Sequence, residues 1–165
     1  MKNYIIEKSN NNEEELIIEN LVRYNLTKVP KSQKEPFISI NRVIKDDEGK
    51  IIAGINSRMY CWKCLYIDSL WVDSDFRKQG LGTILINEVE KIAVDNGCRL
   101  IHLDTFDFQA KDFYLKHGYE IFGVLDECPE NHKRYYMKKM VWKLKINFSL
   151  STDWNLNNFV IDIRY

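Results

Sequence analysis

Residues 77–83, Arg-Lys-Gln-Gly-Leu-Gly-Thr, follow a strand-like run of the sequence and precede a helix-like run. A strand, a glycine-bearing loop and a helix start together build an anion pocket, because the first helical N–H groups are unpaired and the helix dipole adds positive potential. Gly80 and Gly82 let an anion reach the backbone without meeting a Cβ. Arg77 and Lys78 supply charge beside it. Taken alone, the segment fits an ordinary helix start with turn glycines equally well.

Two well-known phosphate loops are excluded by the residues around these glycines. A Walker loop requires a lysine followed by serine or threonine after the glycines, and neither pair is present. A dinucleotide fingerprint requires a third glycine where Leu85 stands. The pattern is Arg-x-x-Gly-x-Gly, so a nucleotide-dependent kinase or dehydrogenase is not predicted.

The composition predicts one globular domain with no bulk electrostatic preference. The chain has 165 residues, and Lys+Arg and Asp+Glu both number 24, so no net field favours nucleic acid or membrane partners. No apolar run approaches the ~20 residues of a membrane span. The N-terminal residues lack the apolar core of a signal peptide. We therefore expect a cytoplasmic protein with no nucleic-acid or membrane partner.

The four cysteines are predicted to be reduced, partly buried thiols. Cys61 and Cys64 have the C-x-x-C spacing of zinc and redox sites. A zinc site needs a second close pair, however, and Cys98 and Cys128 stand alone. A thioredoxin-type pair should open a helix, whereas this pair leads into a strand. No metal site is expected.

Hydrophobic periodicity predicts an alternation of strands and helices. The expected strands are 3–8, 37–45, 50–59, 65–72, 99–105, 119–125 and 135–143. The expected helices begin at a cap at Asn11 or Asn12, at Thr83, and at a cap at Asp107 or a neighbour. An apolar stripe marks the second helix, and Gly97 and Gly118 are expected to stop the second and third helices. In the first helix, apolar residues recur at helical spacing: Leu16, Ile17, Leu21 and Val22. Residues 46–49 are predicted to form a hairpin turn between two strands.

This order predicts a single mixed α/β domain over residues 1–143. Residues 144–165 form a C-terminal extension whose strand-like parts are 146–150 and 159–163. These parts fit extra edge strands, a contact between the subunits of a homodimer, or a partly ordered tail.

Four segments of the chain resemble the GNAT superfamily of acyl-CoA-dependent N-acyltransferases. They are Ile67 to Asp73, Phe76 to Gly82, Ile101 to Thr105 and Ala110 to Tyr119. The resemblance implies a central, largely antiparallel mixed sheet of about seven strands, flanked by helices and splayed at its two central strands. The tight match covers about a third of the chain, and the element order extends it to about residue 141.

The resemblance also implies acetyl-CoA as cosubstrate, bound in the cleft between the splayed strands. Backbone N–H groups from Lys78 to Thr83 would hold the pyrophosphate, and the Leu70 N–H would bond the thioester oxygen. The residues implied to contact the coenzyme are Leu70, Trp71, Val72, Arg77, Lys78, Gln79, Gly80, Leu81, Gly82, Thr83, Asp107, Phe113 and Tyr114.

Family chemistry is direct attack by a neutral amine in a ternary complex, assisted by proximity and by general acid catalysis. Tyr114 stands at the general-acid position, although a tyrosine merely packed on the sheet fits the same pattern. Asp68 is the candidate base, on a strand face predicted to include Tyr66, Leu70 and Val72. A solvated aspartate is the alternative, and an amine that arrives deprotonated needs no strong base.

One departure from the family pattern concerns Asp107, where many relatives have an asparagine that contacts the pantetheine. An aspartate can cap a helix but cannot donate an amide hydrogen bond. Three histidines, His102, His117 and His132, are scattered along the chain, and we expect structural roles for them.

The predicted function is therefore transfer of an acetyl group from acetyl-CoA to a primary amine of a small molecule or peptide. The rival hypothesis is a non-catalytic acyl-CoA-binding module, which would be expected to lose Tyr114. The acceptor is expected between residues 24–37 and 126–132. There, Asp126, Glu127 and Glu130 either attract a cationic amine or form a solvated loop.

Overall fold

A seven-stranded sheet and three α-helices make up the part of the chain that this computed structural model describes, residues 4–141. The strands are β1 (Phe37–Ser39), β2 (Arg42–Lys45), β3 (Ile51–Tyr60), β4 (Cys64–Val72), β5 (Leu100–Phe106), β6 (Glu120–Asp126) and β7 (Lys133–Met140). The helices are α1 (Asn11–Lys28), α2 (Leu81–Asp95) and α3 (Lys111–Lys116), with a 3₁₀ turn at Ser74–Phe76. The predicted strand-like parts of residues 144–165 lie outside the described residues.

The strands are ordered β1-β3-β4-β5-β7-β6. Strand β2 also pairs with β3, along the first half of β3 from Ile51 to Ile55, whereas β1 pairs with the end of β3 from Arg58 to Tyr60. All neighbouring pairs are antiparallel except β4 and β5, which are parallel and joined by the crossover helix α2. The predicted fold class, a mixed α/β domain on a largely antiparallel sheet, is confirmed.

The first predicted strand is wrong, and the second is wrong in its bounds. Residues 4–8 form no strand, and Tyr4 and Ile6 are 85% and 98% exposed because no sheet edge pairs with them. The predicted strand 37–45 is two strands, since Ile40 and Asn41 interrupt the pairing with β3. The number of strands therefore matches the prediction although the first strand is not one of them. The hairpin turn at 46–49 is confirmed, with the Gly49 N–H bonded to the Asp46 carbonyl at 3.0 Å.

Helix α1 begins one residue earlier than expected because Asn10, rather than Asn11 or Asn12, is its N-cap. The Glu13 N–H donates to the Asn10 side chain at 3.1 Å, and the Asn10 N–H donates to the Glu13 carboxylate at 2.8 Å. This reciprocal capping box fixes the helix start. The helix has no buried residue among those described, and Leu16 is 52% exposed. The apolar spacing predicted the helix correctly, but the apolar residues of this helix are not buried.

Helices α2 and α3 pack on one face of the sheet and enclose the core. The largest fully buried side chains come from both layers: Ile55, Met59, Leu65, Ile86, Val89, Ile101, Leu103 and Met137. Along β5, residues 101, 103 and 105 are buried towards the helices, while 102, 104 and 106 are half-buried on the opposite face. The sheet therefore has a helix-covered face and a second face made of polar and aromatic side chains.

One ion pair within the helix-covered layer is largely buried. The Lys139 Nζ lies 2.6 Å from Glu90 Oε2, and the two side chains are 24% and 14% exposed. The other Glu90 oxygen and the Tyr119 hydroxyl are buried without a hydrogen-bond partner among the described residues. Burial, followed by the Glu90 charge, raises the pKa of Tyr119 far above its usual range.

We expect Lys139→Met to destabilise the protein by about 2–3 kcal/mol, because it leaves a buried carboxylate without its cation. The matched control is Lys138→Gln on the same strand, whose partner Glu120 is 3.4 Å away in an exposed pair. That change should alter the free energy of unfolding by no more than about 0.5 kcal/mol. Urea denaturation measures both, and equal stability of the two variants would contradict the prediction.

Candidate active site

The two central strands separate part of the way along their length. Strands β4 and β5 pair from Cys64–Leu100 to Ile67–Leu103, and no further pair joins them in the described chain. Strand β4 continues to Val72 and β5 to Phe106. The predicted splay is confirmed, and it leaves a gap lined by the backbone of β4.

A β-bulge at Asp68 reverses the alternation of β4 just where the gap opens. Ile67 pairs with Ser57 on β3, but the next pair is Ser69 with Asn56, so Asp68 is an extra residue. Beyond the bulge, Leu70 lies opposite Ile55 and packs against the core on the helix-covered face.

The bulge makes one sequence prediction wrong. Tyr66 lies on the face away from the helices, opposite the exposed Arg58, whereas Leu70 and Val72 face the core. A strict period of two cannot hold across an inserted residue. The residues predicted to share one face, Tyr66, Asp68, Leu70 and Val72, therefore do not.

The backbone direction of β4 selects which residues can bond a ligand in the gap. The Asp73 N–H donates to the Ile52 carbonyl of β3 at 2.9 Å. Because N–H groups alternate sides along a strand, Trp71 also turns its backbone towards β3, and Leu70 and Val72 turn theirs into the gap. The Trp71 backbone is therefore turned away from the gap, while the Leu70 and Val72 backbones remain available.

The glycine loop, residues 77–83, includes the uncapped start of α2. Lys78 and Gly80 have φ values of 62° and 86°, in the left-handed region. The first intrahelical bond is donated by the Ile84 N–H to the Gly80 carbonyl, at 3.0 Å. No acceptor among the described residues bonds the N–H groups of residues 81–83, and the first turn contains no acidic residue. These features suit a phosphate ligand.

The loop borders both the gap and helix α3. A Cβ built on Gly82 would lie 3.4 Å from the Phe113 ring and 3.9 Å from the Val72 side chain. The exposed Arg77 donates from Nε to the Val72 carbonyl at 3.2 Å, on the gap side of β4. The Gln79 side chain bonds the Asp75 carbonyl at 3.2 Å. The predicted phosphate loop, the gap and α3 are thus brought together.

Tyr114 lies in α3 and is buried in the core, in ring contact with Phe113 and Tyr119. Its hydroxyl has no hydrogen-bond partner among the described residues. Burial, with a smaller contribution from the Asp104 charge, raises the pKa of Tyr114 to about 12. The hydroxyl therefore keeps its proton at neutral pH, as a general acid must before it acts.

Asp68 and Asp107 are placed differently from each other. Asp68 is exposed and lines a shallow polar depression with Asn41, Asn56 and Arg58. Asp107 does not cap α3, whose N-cap is Ala110. The reason is that a turn separates Asp107 from the helix.

The Asp107 carboxylate instead bonds the loop between β6 and β7. It accepts from His132 Nδ1 at 3.0 Å and from the Lys133 N–H at 3.2 Å. The prediction of a helix cap is therefore wrong, and both carboxylate oxygens are occupied by the loop.

Sequence reasoning missed a charged cluster at the point where the strands separate. Asp104 is the first β5 residue beyond the last pair with β4, and its carboxylate accepts from the Tyr66 hydroxyl at 2.8 Å. Arg134 on β7 donates to the same carboxylate from Nε at 2.6 Å. Burial and the bond to Asp104 raise the pKa of Tyr66 to about 12. An aspartate among the apolar residues Ile101, Leu103 and Phe106 of the strand was the available signal.

The histidines have protein partners, as expected for structural roles. His102 Nε2 lies 2.9 Å from the Tyr60 hydroxyl, and His117 Nδ1 lies 2.8 Å from the Phe113 carbonyl. Burial lowers the pKa of His102, against a smaller opposing effect of Asp104.

The negative charge of the acidic loop, residues 126–132, is partly neutralised. Asp126 is paired with Lys133 at 2.8 Å, and Glu127 accepts from the Asn131 N–H at 3.0 Å. Two of the three carboxylates proposed to attract a cationic amine are therefore already bonded within the protein.

Residues 4–141 contain no group of three or more potential metal ligands and no helix long and apolar enough to cross a membrane. All four cysteines are free thiols.

The splayed sheet, the uncapped glycine loop and the adjacent buried tyrosine define a class of α/β protein with a split sheet beside an open helix start. A family model described as the acetyltransferase (GNAT) family matches residues 11–119. A solved acetyltransferase from Bacillus cereus is 40% identical, with a TM-score of 0.75 over 84% of this chain and 98% of that one. The chain belongs to the GNAT acetyltransferase family.

One further relative and one further solved structure extend the comparison. Blasticidin-S acetyltransferase of Streptomyces morookaense is 34% identical over 84 residues, which are 50% of this chain and 61% of that protein. The chain thus spans less than two thirds of this curated relative. A streptothricin acetyltransferase from Bacillus anthracis, solved in complex with acetyl coenzyme A, shares the fold at 22% identity and a TM-score of 0.56. It aligns with 67% of this chain and 66% of that one.

Proposed function

We propose that this protein transfers an acetyl group from acetyl-CoA to a primary amine of a small molecule or peptide. The observation that supports this most directly is the gap between β4 and β5, into which the Leu70 backbone turns beside the glycine loop. A ligand with a pyrophosphate and a long thioester arm fits a free helix start followed by an open strand edge.

The residues present fit the coenzyme. The unpaired N–H groups of residues 81–83 would hold the pyrophosphate, with Arg77 and Lys78 adding charge. Leu70 and Val72 would bond the pantetheine arm from the edge of β4, and Phe113 would border it. Asp107, whose oxygens are occupied, is not needed in this arrangement.

The chemistry that acetyl-CoA supplies is an acetyl group on a thioester. The Leu70 N–H would stabilise the negative charge that develops on the thioester oxygen as the amine attacks its carbon. A C–N bond forms and the C–S bond breaks, with its electron pair going to sulfur. Tyr114 would give the sulfur its proton, and the proton of the amine would pass to Asp68 or to water.

Binding followed by an amine panel tests the proposal. We expect acetyl-CoA to bind the purified protein in calorimetry, and free thiol to appear when a suitable amine is added. The panel contains a polyamine, an aminoglycoside, an aminoacyl nucleoside and a peptide with a free N-terminus. Tight binding of acetyl-CoA with no thiol release from any amine would instead indicate a non-catalytic acyl-CoA-binding module. Tight binding of ATP or NAD but not acetyl-CoA would overturn the proposal.

A further inference from the structure

Three strands are linked by side chains on the helix-free face, at the point where the sheet splits. Tyr66 belongs to β4, Asp104 to β5 and Arg134 to β7, and we call these residues the splay cluster. Arg134 binds Asp104 Oδ2 through Nε at 2.6 Å and Nη2 at 2.5 Å. Tyr66 donates to Asp104 Oδ1 at 2.8 Å. Each carboxylate oxygen thus receives a donor from a different strand.

The splay cluster replaces backbone pairing where that pairing ends. The last β4–β5 pair is Ile67 with Leu103, and Tyr66 reaches diagonally past it to Asp104. Beyond it no backbone bond in the described chain sets the distance between β4 and β5. The Tyr66–Asp104 bond therefore restrains the mouth of the gap, and Arg134 restrains Asp104 in turn.

The surroundings of the cluster strengthen this restraint. Asp104 is mostly buried, and the Arg134 guanidinium lies 5.3 Å from the Phe106 ring centroid and 5.8 Å from that of Tyr136. Charge-assisted hydrogen bonds held between aromatic rings are stronger and more directional than exposed ones. A carboxylate held in this way has little freedom to turn.

We propose that Tyr66, Asp104 and Arg134 are positioning residues for acetyl transfer, setting the width of the gap between β4 and β5 and with it the distance from Leu70 on β4 to Tyr114 on α3. This inference rests on the proposed function, because its consequence is the alignment of a thioester with those two groups. None of the three residues needs to touch the reacting atoms. Misplacement of reacting groups by about 1 Å costs up to about 100-fold in rate.

The test compares Tyr66→Phe, Arg134→Gln and their double variant with Lys138→Gln. The control breaks an ion pair on the same strand and the same sheet face, but its partner is Glu120 on β6. We expect Arg134→Gln to lower kcat about 10-fold to 100-fold and Tyr66→Phe about 3-fold to 10-fold. The affinity for acetyl-CoA should change less than about 3-fold, because the glycine loop is untouched.

The double variant distinguishes a positioning role of these residues from a general loss of protein stability. If both side chains act through the Asp104 carboxylate, the double variant should lose little more kcat than Arg134→Gln alone. Arg134→Lys, which keeps one charged bond, should recover part of the activity. Effects that simply add, or that follow the thermal stability of each variant, would overturn the inference.

Hydrogen exchange tests the same inference without any turnover. Arg134→Gln and Tyr66→Phe should speed exchange in peptides covering residues 68–73 and 104–106, and Lys138→Gln should not. Unchanged exchange in both variants would overturn the positioning role. Failure of the wild type to bind acetyl-CoA or to transfer its acetyl group would instead overturn the proposed function. The hydrogen-exchange rates would in that case still show whether the splay cluster restrains the gap.

Discussion

Replacing Tyr114 by phenylalanine is expected to lower turnover about 100-fold or more, the usual contribution of a positioned general acid. The substitution removes only the hydroxyl, and the ring keeps its contacts with Phe113 and Tyr119. The affinity for acetyl-CoA should change less than about 3-fold, because binding is proposed to depend on the glycine loop. Steady-state kinetics with an accepted amine, together with calorimetry, measure both quantities.

The matched control is Tyr119→Phe, which removes a neighbouring buried hydroxyl. The ring centroids of Tyr119 and Tyr114 are 5.7 Å apart. Because the proposed mechanism gives the Tyr119 hydroxyl no role, turnover of this variant should stay within about 2-fold of the wild type. Equal turnover of Tyr114→Phe and the control would remove Tyr114 from the mechanism.

The pH dependence gives a second readout for Tyr114. Its pKa in the folded protein is about 12, above the ordinary value of 10.0, so the neutral form is the one favoured by folding. Its contribution to stability is complete below pH 10 and is lost as the pH rises towards 12. Turnover should therefore show no fall below about pH 10 caused by loss of the Tyr114 proton.

Substitution of Gly82 is expected to weaken acetyl-CoA binding by an amount that grows with side-chain size. A Cβ at this position meets the Phe113 ring at 3.4 Å, an ordinary contact, so Gly82→Ala should bind within about 3-fold of the wild type. Larger side chains must occupy the space in front of the free N–H groups or displace Phe113. We expect Gly82→Leu to weaken binding about 30-fold or more, which corresponds to about 2 kcal/mol.

Calorimetry on the alanine, valine and leucine variants measures this series. Gly82 is helical and has no positive φ, so the fold should persist in all three, and circular dichroism with thermal melting verifies it. Undiminished acetyl-CoA affinity in a folded Gly82→Leu variant would show that the phosphate groups bind elsewhere.

Much of the fold was predictable because its signals are local. The apolar stripe of α2, the hairpin glycine Gly49 and the two stop glycines, Gly97 and Gly118, each depend on a few neighbouring residues. All three glycines have φ values near +80°, which few other residues adopt at low cost. The first predicted strand failed for the opposite reason. A short apolar run forms a strand only where a partner edge is available, and residues 4–8 have none.

The candidate site was predictable in part. The loop residues were found from the order strand, glycine loop, helix, whereas Leu70, Phe113 and Tyr114 were implied by the family resemblance. The structure places the loop beside Val72 and Phe113. Asp104 was not selected, because its importance comes from Arg134, which lies 30 residues further along the chain. Asp107 or a neighbour was expected to cap α3, whereas the partners of Asp107 come from a distant loop.

The uncapped helix start at residues 77–83, predicted to be an anion pocket, follows from the order strand, glycine loop, helix, because the direction of the first helical N–H groups is a local property of the backbone. Which face each β4 residue occupies could not be decided in this way. A bulge exists only relative to the strand that it pairs with, and the register with β3 inserts Asp68 and turns Leu70 and Val72 towards the core. Local geometry is therefore encoded by neighbouring residues, and the shape of the gap arises only when distant strands pair.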